Sequence, residues 1–316
     1  MVGWLINDAL GMIEGSQTFW ELLLTWLPGL VDQTGGYTPY EELPARIARL
    51  PGRPDYVVRN ATFFPPLPVR APTIAFLQDV LLGEYRLMQL EVCRRAAATV
   101  VNSAFTAAQY PELPAPRVIP IGVDPARFFP SPGRGLLDVP PQAVCFIGSS
   151  DKVKGFTHVE RLIAETTLNF CLVMKDDTEI QIPGRVVTFT RVPHWKLARI
   201  INSCAIGFCP SIRETQHLAG LEMGFCGLPL VTSDVGVYYR RPAGIWGERV
   251  EPDEYEAALH HMLANRPHVD DVAAYWQREG FTVERCRVAW QGLVEGVCAT
   301  ASRSRVDVSS TVRGLG

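Results

Sequence analysis

Lysine is scarce in this 316-residue chain: there are four, Lys152, Lys154, Lys175 and Lys196, against 26 arginines. No basic residue of either kind precedes Arg46, whereas Asp8, Glu14, Glu21, Asp32, Glu41 and Glu42 all do. That start excludes the positive n-region of a secretory signal peptide and argues against a basic membrane-surface helix. Long apolar runs are missing too. The most apolar early stretch, "FWELLLTWLPGLV", is broken by Glu21 and Pro28 and is too short to cross a bilayer. The eight cysteines show no Cys-x-x-Cys and no regular spacing, and several sit in apolar runs such as "AVCFIG" and "NFCLVM", where a thiol acts as a small hydrophobe. The expectation is a reduced, cytoplasmic protein without disulfides, structural zinc or a transmembrane segment. A net charge of −3 and a pI near 6.1 give no general pull toward nucleic acid or anionic lipid.

What is present is an ordinary core-forming composition, 47% apolar and 20% charged, in a chain long enough for one large domain or two of common size. Short apolar runs alternate with helical patterns throughout, the signature of parallel sheets with crossover helices. In the first half "VGWLIN", "DYVVRN", "TIAFLQ" and "TVVNS" read as strands; in the second, "AVCFIG", "NFCLVMK", "VVTFT", "AIGFCP", "LPLVTS" and "GERVE" do. Between them "TFWELLLTWL", "YEELPARIARL", "EYRLMQLEVCRRAAA", "THVERLIAET", "HWKLARIINS", "HLAGLEMGF" and "DEYEAALHHMLA" have helical spacing, followed by one long helical run from about Val269 to Thr300. Composition places a first α/β domain at 1–125, a Pro/Gly-rich linker at 126–141 and a second α/β domain at 142–285. It adds a C-terminal helix at 286–300 that packs back on the first domain, and a flexible tail at 301–316. The resulting architecture is two Rossmann-like domains facing across a cleft.

Three segments are placed where open α/β sheets bind ligands, beyond the carboxyl ends of strands. "CFIGSSDKVKGF" runs from a strand through Gly148 and Ser149 into a loop with Lys152 and Lys154, cations suited to a diphosphate; a short Gly-and-Lys loop is more often plain solvated surface. "SIRETQHLAGLEMGF" carries Arg213, Glu214, His217, Leu218 and Glu222 into a helix. With residues 215–222 helical, Glu222 lies roughly 10 Å from the helix start, so the two carboxylates hold separate parts of an elongated ligand. The plainer reading makes Glu214 a helix-start acid favoured by the dipole and puts Glu222 on a solvated face. Against it, Glu222 stands among Leu218, Leu221, Met223 and Phe225. The third segment, "NDALGMIEGSQTFW", offers Gly11, Gly15, Ser16 and Thr18 as a cleft-facing connection, with Thr18 alternatively an N-cap.

Taken together these residues resemble the nucleotide-sugar-binding half of GT-B glycosyltransferases, most closely the retaining group called family 4. The resemblance rests on Glu214 and Glu222 with seven residues between them, followed by "GLPLVTSDVG". It rests also on "RVIPIGVDPARFFP", on "FIGSSDKVKGF", and on "FTRVPHWKLARIINSCAIGFCPS" leading to the paired glutamates. It covers roughly Thr99 to Val250. It implies that Glu222 accepts hydrogen bonds from the nucleotide ribose, that Glu214 holds hydroxyls of the donor sugar, and that Lys154 neutralises the diphosphate as the leaving group charges. Backbone at Val192 would meet the base, and amides near His217 and Leu218 the phosphates or sugar.

The chain departs from the family pattern at three places. Ser149 stands where an Arg is usual, so Lys152 or Arg213 would supply the second positive charge. Thr215, Gln216 and His217 replace the usual "GFG". In the first domain Gln78 and Asp79 replace a usual His-Asp pair. The implied activity is retaining, metal-independent transfer from a nucleotide sugar, a UDP-sugar such as UDP-glucose favoured, with no other cofactor. The alternative is a catalytically silent nucleotide-sugar-binding subunit on the same fold. The acceptor is unread: a glycan, a lipid-linked sugar, a small metabolite or a modified base in DNA. Arg46, Arg49 and Arg53 form a basic stripe, but a solvated helix face pairing with Glu41 and Glu42 is the better reading. The oligomeric state is not read, and His158, His194, His260, His261 and His268 are taken as surface or packing residues. Trp4, Trp20 and Trp26 read as core rather than a sugar platform, with Trp20, near the N-terminal loop, open to either role.

Overall fold

The structure is a computed structural model that describes residues 1–6, 14–33, 42–49, 52–60, 69–131, 138–178 and 180–313. The chain divides into two compact units, Met1–Pro120 with Cys286–Gly316, and Ile121–Arg285.

In the first unit the sheet runs β1 (Gly3–Ile6), β2 (Leu30–Asp32), β3 (Tyr56–Asn60), β4 (Thr73–Leu77), β5 (Ala98–Val101) and β6 (Arg117–Val118). The order is β2-β1-β3-β4-β5-β6, and every pairing is parallel. Helices α1 (Glu14–Trp26), α2 (Leu43–Ala48), α3 (Gly83–Arg95) and α4 (Ala104–Ala108) fall between strands. The four expected strands form. β2 and β6 were not expected, being edge strands of three and two residues, too short to show a pattern. Trp4, Trp20 and Trp26 are buried, and Phe19 packs on Phe76 with ring centroids 4.6 Å apart. Trp290, from the C-terminal helix, closes that cluster at 5.5 Å from Phe76.

The second unit restarts the alternation with β7 (Val144–Gly148), β8 (Phe170–Met174), β9 (Val186–Thr190), β10 (Ile206–Cys209), β11 (Leu230–Thr232) and β12 (Gly247–Arg249). Helices α5 (Phe156–Glu165), α6 (His194–Ile201), α7 (Leu218–Phe225), α8 (Tyr255–Ala264) and α9 (Val269–Arg278) accompany them. The order is β12-β11-β10-β7-β8-β9, again wholly parallel. All six expected strands form, and β8 is buried along its whole length, as a two-sided parallel strand must be. One core layer gathers Cys145, Cys171, Ile200, Leu221, Phe225 and Trp276, the other Phe146, Phe156, Leu162, Phe170, Phe208 and Tyr255. All eight cysteines are free.

Several boundaries differ from the sequence reading. The first unit ends at Pro120 rather than 125, and part of the expected linker is structured: the Phe128 ring is buried in the second core, and the Ser131 amide donates to Asn202 Oδ1 at 2.7 Å. Pro and Gly content marked the stretch as loop but carried no sign of that anchoring. The expected long run from Val269 is two helices, α9 and α10 (Val283–Arg313), separated where Gly280 takes φ +94°. α10 continues through the expected tail to Arg313, and within it Thr300 Oγ1 donates to the Gly296 carbonyl. α1 begins at Glu14, so Gly15, Ser16 and Thr18 lie within a helix rather than in a connecting loop, and Thr18 is not an N-cap. Residues 7–13, including Gly11, lie outside the described residues.

Candidate functional site

In the second unit the strand order reverses between β7 and β10, which leave the chain in opposite directions across the sheet. Crossover loops diverge at such a point and leave a crevice at the carboxyl ends of the two strands. The Lys152–Lys154 turn follows β7, and Arg213–His217 follows β10. The two loops are tied together: the Ile212 amide donates to the Val153 carbonyl at 2.8 Å. Gly155 makes that approach feasible. Its φ of +73° is the left-handed region, and a Cβ there would overlap the Pro210 carbonyl oxygen.

This places Lys154 Nζ on Glu214 Oε1 as a hydrogen-bonded ion pair, with the Glu214 side chain 16% exposed. Glu214 is no helix-start acid. α7 begins at Leu218, one residue into the expected stretch "HLAGLEMGF" and three after residue 215, because His217 turns into the left-handed region at φ +69° and acts as N-cap. Its Nδ1 accepts from the Gly220 amide at 3.1 Å, so the ring is neutral with its proton on Nε2. Burial holds the His217 pKa below the usual histidine value; Glu214 opposes that shift and Lys154 adds to it. The Leu218 and Ala219 amides, next in line, make no hydrogen bond among the described residues. They are the free N–H groups a helix start offers an anion.

Glu222 lies one turn further, about 7 Å along the helix from His217 at 1.5 Å per residue. It is 7% exposed, not on a solvated face. Its Oε1 is 3.1 Å from His194 Nε2, at the first turn of α6. His194 is exposed, in keeping with the surface reading, yet it pairs with this buried carboxylate. Its pairing is tertiary, and no local spacing announces it. Gln216 is the other residue whose part was missed. Its side chain is buried, accepting from the Ile121 amide at 2.7 Å and donating to the Ile121 carbonyl at 2.6 Å. It thereby pins the Glu214–His217 segment to the start of the unit.

Of the other expected site residues, Gly148 ends β7 and Ser149 follows it, half-buried. Lys152 and Arg213 are exposed and make no ion pair among the described residues, so both cations are available. Val192 packs half-buried against the core before α6. Gln78 and Asp79 belong to the first unit, just beyond β4. Gln78 is buried with its Nε2 unpartnered, and the Asp79 carbonyl accepts from Gln89 Nε2 at 3.1 Å. Gly15 and Ser16 lie in α1, also in the first unit. Among the described residues no three His, Cys, Asp or Glu side chains are grouped to hold a metal ion, and no helix is long and apolar enough to cross a membrane.

No protein-family model and no curated protein matches the chain in sequence. Solved structures do match in shape. Sucrose-phosphate synthase from Thermosynechococcus elongatus superposes with a TM-score of 0.72 at 15% identity, over 95% of this chain and 100% of that one. Anabaena HepE in complex with UDP and glucose gives 0.69 at 14% identity, over 94% and 100%. The lipopolysaccharide outer core galactosyltransferase WaaB gives 0.66 at 13%, over 94% and 99%. At these identities the likeness is one of fold, and that fold is GT-B.

Proposed function

We propose that this chain is a glycosyltransferase that takes a sugar from a nucleotide-diphosphate sugar, a UDP-sugar such as UDP-glucose by preference, and passes it to an acceptor with retention. The observation that carries the proposal is the meeting of Lys154 with Glu214 at the β7/β10 switch point, ahead of a helix that keeps Glu222 buried. The HepE complex with UDP and glucose, on the same fold, favours UDP as the nucleotide.

Each group has a role its chemistry suits. A buried carboxylate accepts hydrogen bonds from two vicinal hydroxyls, so Glu222 takes the ribose. Glu214 takes hydroxyls of the sugar. When the diphosphate binds, Lys154 exchanges part of its contact with Glu214 for phosphate oxygens. It then faces the charge that grows as the glycosidic bond breaks. Lys152 or Arg213, with the Leu218 and Ala219 amides, completes the positive environment, so the chain itself provides the charge that a divalent cation would otherwise bring. The departing phosphate takes the acceptor proton, and nucleotide binding energy holds the donor in place.

The test is calorimetric titration of UDP, GDP and ADP, each with and without magnesium, into the wild type and Glu222→Ala. The expected result is magnesium-independent binding of one nucleotide, weakened at least tenfold in the variant. Binding of none of the three refutes the ribose role of Glu222 and the donor site with it.

A further inference from the structure

Glu222 is gripped from one side only. Its Oε1 meets His194 Nε2 at 3.1 Å, while Oε2 makes no hydrogen bond among the described residues. On the far side of the imidazole, His194 Nδ1 is 2.7 Å from Arg127 Nη1. A guanidinium carries donors and no acceptor, so Nδ1 must be the accepting, unprotonated nitrogen. The ring proton is therefore on Nε2, and it points at Glu222. Arg127 thus fixes the tautomer, and the tautomer fixes the direction in which His194 donates. Edge-to-face contact with the Phe128 ring, centroids 5.5 Å apart, holds the imidazole from a further side. Arg127 and Phe128 come from the segment that opens the second unit, His194 from α6 and Glu222 from α7, so three elements converge on one carboxylate.

We propose that His194, locked as a neutral donor by Arg127, is the positioning residue that turns Glu222 toward the nucleotide ribose, and that recognition of the 2′-hydroxyl depends on this Arg127–His194–Glu222 relay. The inference rests on the ribose role of Glu222 given above. A carboxylate free to rotate in a half-wet pocket spends its acceptor capacity on water. One held by Oε1 presents Oε2, and the second lone pair of Oε1, in a fixed direction, which is what discriminating a single hydroxyl requires. His194 itself does not touch the nucleotide in this scheme. Its removal should therefore affect nucleotides that carry the 2′-hydroxyl and spare those that lack it.

The experiment titrates UDP, GDP and ADP, each beside its 2′-deoxy counterpart, into wild type, His194→Ala, His194→Gln, Arg127→Ala and Glu222→Ala. The wild type should prefer one ribonucleotide to its deoxy form by about tenfold, the worth of one hydrogen bond to a charged group. His194→Ala should lose most of that preference through weaker ribonucleotide binding alone. His194→Gln, whose amide can donate to Oε1, should restore it, and Arg127→Ala should reduce it. A merely structural role predicts equal weakening of both forms in His194→Ala, and that result overturns the relay. Glu222→Ala separates the two claims. If it abolishes the preference while His194→Ala keeps it, the relay falls and the ribose role stands. If both variants keep it, or if no nucleotide binds the wild type, both fall.

Discussion

Removing the Gln216 side chain should destabilise the second unit more than any exposed change near the site. Gln216 closes a two-bond ring with the backbone of one residue, accepting from the Ile121 amide at 2.7 Å and donating to the Ile121 carbonyl at 2.6 Å, and both residues are buried. In Gln216→Ala the Ile121 N–H donor and the Ile121 carbonyl acceptor are stranded together. Each costs about 1–3 kcal/mol, and a water entering the vacated space returns part of it, leaving about 3 kcal/mol. For a unit of this size that lowers Tm by about 6–12 °C. Gln216→Glu sharpens the argument. The glutamate can still accept from the Ile121 amide, but when ionised it turns a second acceptor on the Ile121 carbonyl. Protonated, it can donate there as the amide does. Its Tm deficit against wild type should therefore be largest near pH 8 and shrink toward pH 5. The assay is differential scanning calorimetry of the full chain at both pH values, following the transition of the second unit. Melting of both variants within about 2 °C of wild type at pH 8 would refute the reasoning, by showing that solvent satisfies both Ile121 backbone groups.

Two further outcomes follow from other positions. The His217 ring is neutral, and burial depresses its pKa. The unfolded chain therefore binds that proton at a higher pH than the folded one, and stability is full above the ordinary histidine range and falls as pH drops through it. His217→Asn keeps an N-cap acceptor and tolerates the left-handed φ, so its melting temperature should decline less than that of wild type between pH 8 and pH 5; parallel declines would dismiss His217 as the source. In the first unit, Trp290 is fully buried and lies 5.9 Å from Phe19 and 5.5 Å from Phe76. Trp290→Ala should cost about 3–5 kcal/mol in chemical denaturation of that unit, and a loss under 1 kcal/mol would mean the cluster closes without it.

Much of the fold was legible because parallel strands are buried on both faces. "NFCLVM" and "AIGFC" announce themselves as unbroken apolar runs, and a run of that kind flanked by helical spacing has few other homes. The edges were not legible. β2 and β6 are too short to carry a pattern, and they form because a neighbouring strand presents unpaired backbone to them. Helix ends were displaced where backbone conformation, rather than hydrophobic period, decides. His217 delays α7 by turning left-handed, and Gly280 divides what reads as one long amphipathic run. Neither event leaves a trace in the spacing of apolar residues.

The site divides along the same line. Lys154, Glu214 and Glu222 could be named because each lies in a motif whose chemistry is local: a loop after a strand, an acid before a helix, an acid one turn in. The contacts that complete the site join residues 28 to 95 apart in sequence, His194 with Glu222, Lys154 with Glu214, and Ile121 with the neighbouring Gln216. Those pairings exist only once the sheet order has brought the opening segment of the unit, α6 and α7 together. A glutamate read from sequence is a charge with no direction. The relay through His194 and Arg127 supplies the direction, and it depends on Arg127 lacking any acceptor. Replacing Arg127 with a residue that accepts a hydrogen bond would leave the Glu222 carboxylate alone to keep the proton on Nε2, and would remove the donor that holds the far side of the ring. Glu222 would then face an imidazole free to turn, although every residue the sequence motif names would still be in place.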